Sequence, residues 1–163
     1  MTAFFFAGDI PSAEDFNDVA GIGEMVADVS GTSDSSTWNS ATKVLTNMVA
    51  AFTAPSSGIK YVVHGLMNWS CAAASDQIAL GLVWKQGTVA ATDTLFAASA
   101  PRSHPDATGF NCTPVYGTFT TLASGSHEVG VIGWMPTGDT GVTKLEGDAS
   151  FSINKLTVVR VTS

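Results

Sequence analysis

From about Lys43 to the end of the chain, apolar and polar residues alternate with a period of two, the spacing that sends successive side chains to opposite faces of a strand. Over residues 59–71, Ile59, Tyr61, Val63, Met67, Trp69 and Cys71 fall on one face, and Lys60, His64, Asn68 and Ser70 on the other. Over 77–85, Ile78, Leu80, Leu82 and Trp84 oppose Ala79, Gly81, Val83 and Lys85, and over 128–135, Val129, Val131, Gly133 and Met135 share a face. The stretch 151–161 is rich in β-branched residues, and shorter alternations over 44–52, 88–96 and 115–122 add further candidate strands. Turn clusters at 54–58, 73–76, 101–109, 124–126 and 136–141 separate them. Seven or eight strands with almost no helix behind residue 25 predict an all-β, antiparallel, jelly-roll-like sandwich.

Upstream the period changes. Ser12 follows Pro11 and caps a predicted short helix, with Glu14 and Asp15 in its first turn and Phe16, Val19 and Ala20 at helical spacing. Gly21 and Gly23 end it. Residues 25–40 then read as a polar connection with Trp38 as its one large apolar group. The expected organisation is an N-terminal arm, residues 1–35, carrying the helix, and a sandwich domain, residues 36–163, with no internal repeat.

Composition narrows the function classes. In 163 residues, 45% are hydrophobic and only 13% charged, which excludes disorder driven by low hydrophobicity. The net charge is −7 and the seven basic residues are scattered singly, so no stripe neutralises a run of phosphates and no nucleic-acid partner is expected. No apolar run approaches a membrane span, and the opening MTAFFFAGDIP lacks the cationic start of a signal peptide, so no membrane association is expected. Cys71 and Cys112 have no zinc spacing. They read as two buried free thiols, the alternative being a bridge closing about 40 residues and contributing about 4 kcal/mol. The sequons at Asn68 and Asn111 read as chance matches.

Candidate chemistry is sparse, and no catalytic, cofactor or metal residues are nominated. Ser126, His127 and Glu128 are adjacent, but neighbours on a strand point apart, so they read as a turn entering a strand rather than a triad. The Gly21–Gly23 pair lacks a preceding strand and a third glycine for a dinucleotide site. His64, His104 and His127 show no ligand spacing, and Asp139, Glu146 and Asp148 lack a calcium-loop pattern. Trp69 and Trp84 read as core. Trp134 falls opposite Val129, Val131 and Met135, facing the outside of its sheet or another subunit, and with Trp38 it is the basis for a sugar-stacking alternative.

Phe4, Phe5 and Phe6 are the most unusual feature, since three rings at a terminus cost solubility unless covered, either by an opening strand of the same domain or by another chain. The segment Gly8-Asp9-Ile10-Pro11-Ser12-Ala13-Glu14-Asp15-Phe16-Asn17 that follows resembles the opening of many virion proteins of tailed bacteriophages. Residues 123–131 and 155–161 are similar to the closing half of jelly-roll head or tail proteins from such phages. The resemblance covers about a third of the chain. It implies a non-enzymatic structural protein, made in the host cytoplasm and placed on the virion surface, that decorates and stabilises a capsid by binding the major capsid protein lattice. A homo-oligomer, by preference a trimer, is implied, with contacts through Phe4, Phe5, Phe6, Asp9, Phe16, Asn17 and Trp134. The alternative is a tail or fibre protein with a carbohydrate-binding host-adhesion module.

Overall fold

The computed structural model describes residues 23–72, 77–99, 102–103, 110–136, 143–148 and 153–161. They form ten strands: β1 Glu24–Gly31, β2 Val44–Ala54, β3 Lys60–Cys71, β4 Gln77–Gln86, β5 Leu95–Ala98, β6 Arg102–Ser103, β7 Phe110–Thr120, β8 Gly125–Trp134, β9 Thr143–Leu145 and β10 Asn154–Arg160. The first sheet has the order β1-β10-β3-β7, with β9 continuing beside β3 beyond the end of β10. The second has the order β2-β8-β4-β5, with β6 also on β4. Every pairing is antiparallel. Most connections cross from one sheet to the other, the wiring of a jelly roll, so the described part is the all-β sandwich that the alternation predicts.

The two inner faces meet where the pattern places them. Tyr61, Val63, Met67 and Trp69 of β3 are buried against Ile78, Leu80 and Leu82 of β4 and Val129 and Val131 of β8. On these faces the buried Trp69 indole N–H is paired, donating to Thr113 Oγ1 at 3.0 Å. In β2 the pairing slips between Leu45 and Val49, and Thr46 repairs the gap, donating to Val131 O at 2.8 Å and accepting from the Met48 N–H at 3.2 Å. Two buried polar atoms, Trp38 Nε1 and the Tyr61 hydroxyl, have no hydrogen-bond partner. Burial also pushes the Tyr61 phenol pKa up.

Several expectations are corrected. The polar connection over 25–40 holds β1, an edge strand whose register slips between Met25 and Ala27, which breaks the alternation that would have revealed it. Trp38 is core: its backbone bridges to Thr143 and its ring lies on Gly133, where an added Cβ would stand 2.5 Å from the ring. The strand expected over 88–96 is mostly a loop, because Asp93 accepts the Ala90 N–H at 2.7 Å and closes a turn there; only Leu95 and Phe96 enter β5. Cys71 is buried but Cys112 is exposed. Cys112 pairs with Asn68 on the outer face of the first sheet, whereas Cys71 points into the core, so the two thiols stand on opposite sides of one sheet and form no disulfide with each other. The helix expected from Ser12 lies outside the described residues.

Tyr61→Phe tests the unpaired hydroxyl. Removing a buried donor that bonds to nothing is expected to leave stability unchanged or raise it by about 1 kcal/mol, read as the urea midpoint. Gly133→Val, which drives a side chain into Trp38, is expected to cost about 1–3 kcal/mol.

Candidate interaction surface

The register places the outer face of the first sheet residue by residue. One row across it is Asp28 on β1, Thr157 on β10, His64 on β3 and Tyr116 on β7; the next is Ser30, Lys155, Leu66 and Pro114. A third holds Met25, Val159, Val62 and Thr118. Each row spans roughly 14 Å, three inter-strand steps. Tyr116 is 65% exposed, Met25 55% and Leu66 47%. These are large apolar groups left exposed on the outer face of the sheet. Asp28, His64, Leu66, Pro114, Tyr116 and Lys155 line a groove of about 600 Å³ across it.

At the β1 side of the groove the charges are matched. Asp28 accepts from the Thr157 hydroxyl at 2.8 Å and pairs with Lys155 Nζ at 3.4 Å, while Lys155 also reaches Ser30 Oγ at 2.5 Å. With both side chains of this pair more than a third exposed, its use is to hold polar groups in place rather than to stabilise the fold. The face thus joins an exposed ring to a fixed set of hydrogen-bonding groups.

The outer face of the second sheet differs. Val83, Val89 and Ile132 are buried there in a small second cluster, with Leu45, Val49, Leu95 and Trp134 against it. The loop after β4 closes over it, held by the Val89 N–H on Glu128 Oε2 at 3.0 Å and by the Lys85–Asp93 ion pair at 3.2 Å. Trp134 lies on this outer face, half-buried, with Lys43 Nζ 5.7 Å from the centre of its ring. Its ring is therefore partly occupied, and buried Trp38 offers no stacking surface at all. Phe4, Phe5, Phe6, Asp9, Phe16 and Asn17 lie outside the described residues.

The remaining polar candidates are not brought together. His127 points into the core and Glu128 to the opposite face. The His127 Nδ1 accepts the Trp84 indole N–H at 3.3 Å, which leaves the ring proton on Nε2 to bond Ala123 O at 3.0 Å, so its acceptor is committed. His64 stands on the outer face of the other sheet. Among the described residues no three His, Cys, Asp or Glu side chains gather as a metal set. At the far end of the sandwich Lys144 bridges Asp34 and Glu146, and Ser70 Oγ donates to Glu146. The Lys144 ammonium, with the Gly147 N–H, holds the Asp34 carboxyl below its ordinary range, and Asp34 in turn raises Lys144. Asp93 is lowered too, first by the Ala90 N–H and then by Lys85. These groups tie β9 and two loops to the sandwich.

The sequence carried a readable sign of the outer face. Leu66 interrupts the polar side of β3 between His64 and Asn68, and Tyr116 does the same among Pro114, Thr118 and Thr120 of β7. Two apolar exceptions on neighbouring strands mark a surface. That the strands are neighbours is a tertiary fact.

No protein-family model matches the chain, and no curated protein matches it. Among solved structures it is similar to a chain of infectious bursal disease virus, Gx strain, at 8% identity and TM-score 0.45, covering 85% of this chain and 37% of that one. A structure of Eiger TNF from S. frugiperda aligns at 11% identity and TM-score 0.47, covering 86% and 94%. The C-terminal domain of EclA, a sugar-binding protein, aligns at 14% identity and TM-score 0.36, covering 82% and 77%. At these levels no conclusion about this chain rests on them; the jelly-roll assignment comes from its own strand order.

The lowered carboxylates set a sign for acid sensitivity. A carboxylate held below its ordinary value of 3.8 contributes stability that is present above that pH and lost as the pH falls below it. Asp34→Asn combined with Asp93→Asn is expected to flatten the fall in urea midpoint between about pH 4 and about pH 2 relative to the parent.

Proposed function

We propose that this chain is a non-enzymatic structural protein of a bacteriophage virion, which decorates and stabilises the capsid by binding the major capsid protein lattice as a homo-oligomer. The observation that carries the reading is the uncovered outer face of the first sheet, where Met25, Leu66 and Tyr116 are exposed while the opposite sheet is covered by the chain's own loop. Monomers rarely leave such side chains grouped on one face unless another surface meets them. Burying one of them fully contributes about 1.5–3 kcal/mol, and repetition over a lattice multiplies a modest contact. The resemblance of residues 8–17 to virion proteins supports the same assignment, and the scarcity of basic residues fits a protein that stays off the packaged nucleic acid.

Purified protein added to capsids that lack it is the test. Leu66→Lys with Tyr116→Ser is expected to weaken binding at least tenfold while the melting temperature stays within a few degrees of the parent, because both side chains are exposed. Undiminished binding by this variant overturns the assignment to this face.

The groove beside Tyr116 favours a second reading, a carbohydrate-binding module on a tail or fibre. A ring flanked by a charge-balanced Asp28–Lys155 pair suits an uncharged, hydroxyl-rich ligand, and it moves the stacking platform from the two tryptophans to Tyr116. Titration with host wall saccharides distinguishes the readings: saturable binding that Tyr116→Ser abolishes supports the module, and no binding to any glycan on an array removes it.

A further inference from the structure

The two sheets leave edges β7 and β5 on the same side of the sandwich. On β7 the free side is defined by hydrogen bonds at its end: the Thr121 N–H donates to Ile59 O at 3.0 Å, and Thr121 O accepts from the Gly58 N–H at 2.7 Å. The register from Phe110 to Thr120 is unbroken, so odd-numbered residues of β7 bond to β3 and even-numbered ones turn their N–H and C=O outward. Tyr116, Thr118 and Thr120 therefore present three donors and three acceptors along an open edge, to which no described backbone group bonds. Pro114, with no N–H, ends the row on one side.

Apart from Pro114, this edge lacks the usual protection. Across all eleven residues of β7 there is no charged side chain, where exposed edges ordinarily carry one. Between β7 and β5, next to the open row, lies a cavity of about 190 Å³ lined by Leu80, Leu82, Ala97, Ser99, Pro114 and Val115 among others, its wall part apolar and part polar. A cavity of about 150 Å³ takes a benzene ring. An extended segment added along Tyr116–Thr120 would carry alternate side chains toward this cavity.

We infer that the occupant is the Phe4-Phe5-Phe6 segment of a neighbouring copy, which adds a strand to the open edge of β7 and seats one phenyl ring in the cavity between the sheets. The segment fits by chemistry: residues 1–8 carry no side-chain charge, so an uncharged strand meets an uncharged edge. It fits by reach, since the 17 residues from Phe6 to Gly23 span up to about 60 Å when extended. It fits a neighbour better than the same protomer. Gly23 precedes β1, at the opposite edge of the first sheet, and the short route back to β7 would cover Met25, Leu66 and Tyr116, which are exposed. A donor segment on one copy and an acceptor edge on the next make a head-to-tail contact, the kind that closes rings such as a trimer. The inference deepens the homo-oligomer part of the proposed function and rests on that reading.

The test uses the full chain in sedimentation velocity. Thr118→Pro removes an outward N–H that β3 does not use, and Phe4→Ser/Phe5→Ser/Phe6→Ser removes the donor rings. The parent is expected to form a closed oligomer, each variant alone to associate at least tenfold more weakly, and an equimolar mixture of the two to form one-to-one dimers. A monomeric parent, an undiminished variant or a mixture that stays monomeric overturns the inference. Hydrogen exchange serves even if Thr118→Pro fails to fold: the Tyr116, Thr118 and Thr120 amides are expected to be at least tenfold more protected in the parent than in the triple serine variant, and equal rates overturn it. Capsid binding is measured separately. Loss of self-association by the variants together with a parent that ignores capsids counts against the proposed function and leaves the strand addition standing.

Discussion

Six rings from six different strands meet at one end of the sandwich. Phe52 of β2, Tyr61 of β3, Trp84 of β4, Phe96 of β5, Phe119 of β7 and His127 of β8 form a continuous cluster with centroids 4.7–6.0 Å apart. Phe119 touches four of the others, and Trp84 stacks on it at 4.7 Å. Because each strand supplies one ring, the cluster fixes the two sheets against each other and sets the register of six strands together. His127 belongs to this arrangement as an aromatic with one polar edge, satisfied by Trp84 and Ala123. A histidine beside a serine and a glutamate in the sequence is thus a packing residue.

With the sheets fixed, the outer faces are left to do different things. The second sheet buries Val83, Val89 and Ile132 beneath its own loop, which completes a second small core. The first sheet carries exposed Tyr116, Leu66 and Met25 beside a charge-matched pair, and no described backbone group bonds to the outward side of its β7 edge. Among the described residues, Met25, Leu66 and Tyr116 thus share one sheet face, and the β7 edge adjoins it. On a chain of net charge −7, an edge without charge is also where a like-charged copy approaches with least repulsion.

Much of the sandwich was legible because period two survives where a strand is buried on one face, as in β3, and because β4 and β8, buried on both faces, are apolar enough to read as strands. It failed where local geometry breaks the period. The bulge in β1 hid an edge strand behind a polar reading, and the Asp93 turn shortened an expected strand to β5. Trp38 was misread for a different cause: its burial depends on Gly133, nearly a hundred positions away, leaving room for the indole. The association surface was half legible. Leu66 and Tyr116 are visible exceptions in their own strands, but only pairing between β3 and β7 makes them a patch, and only the hydrogen bonds of Thr121 reveal which side of β7 is open.

The claim beneath all of this is that the protein acts by covering the first sheet's outer face and edge with another polypeptide. Hydroxyl-radical footprinting of the protein free and bound to capsids measures that directly. The account predicts that Met25, Leu66 and Tyr116 lose most of their labelling on binding, while Leu122, 82% exposed at a loop tip, keeps its own. Equal labelling of those three side chains in the free and bound protein would contradict it.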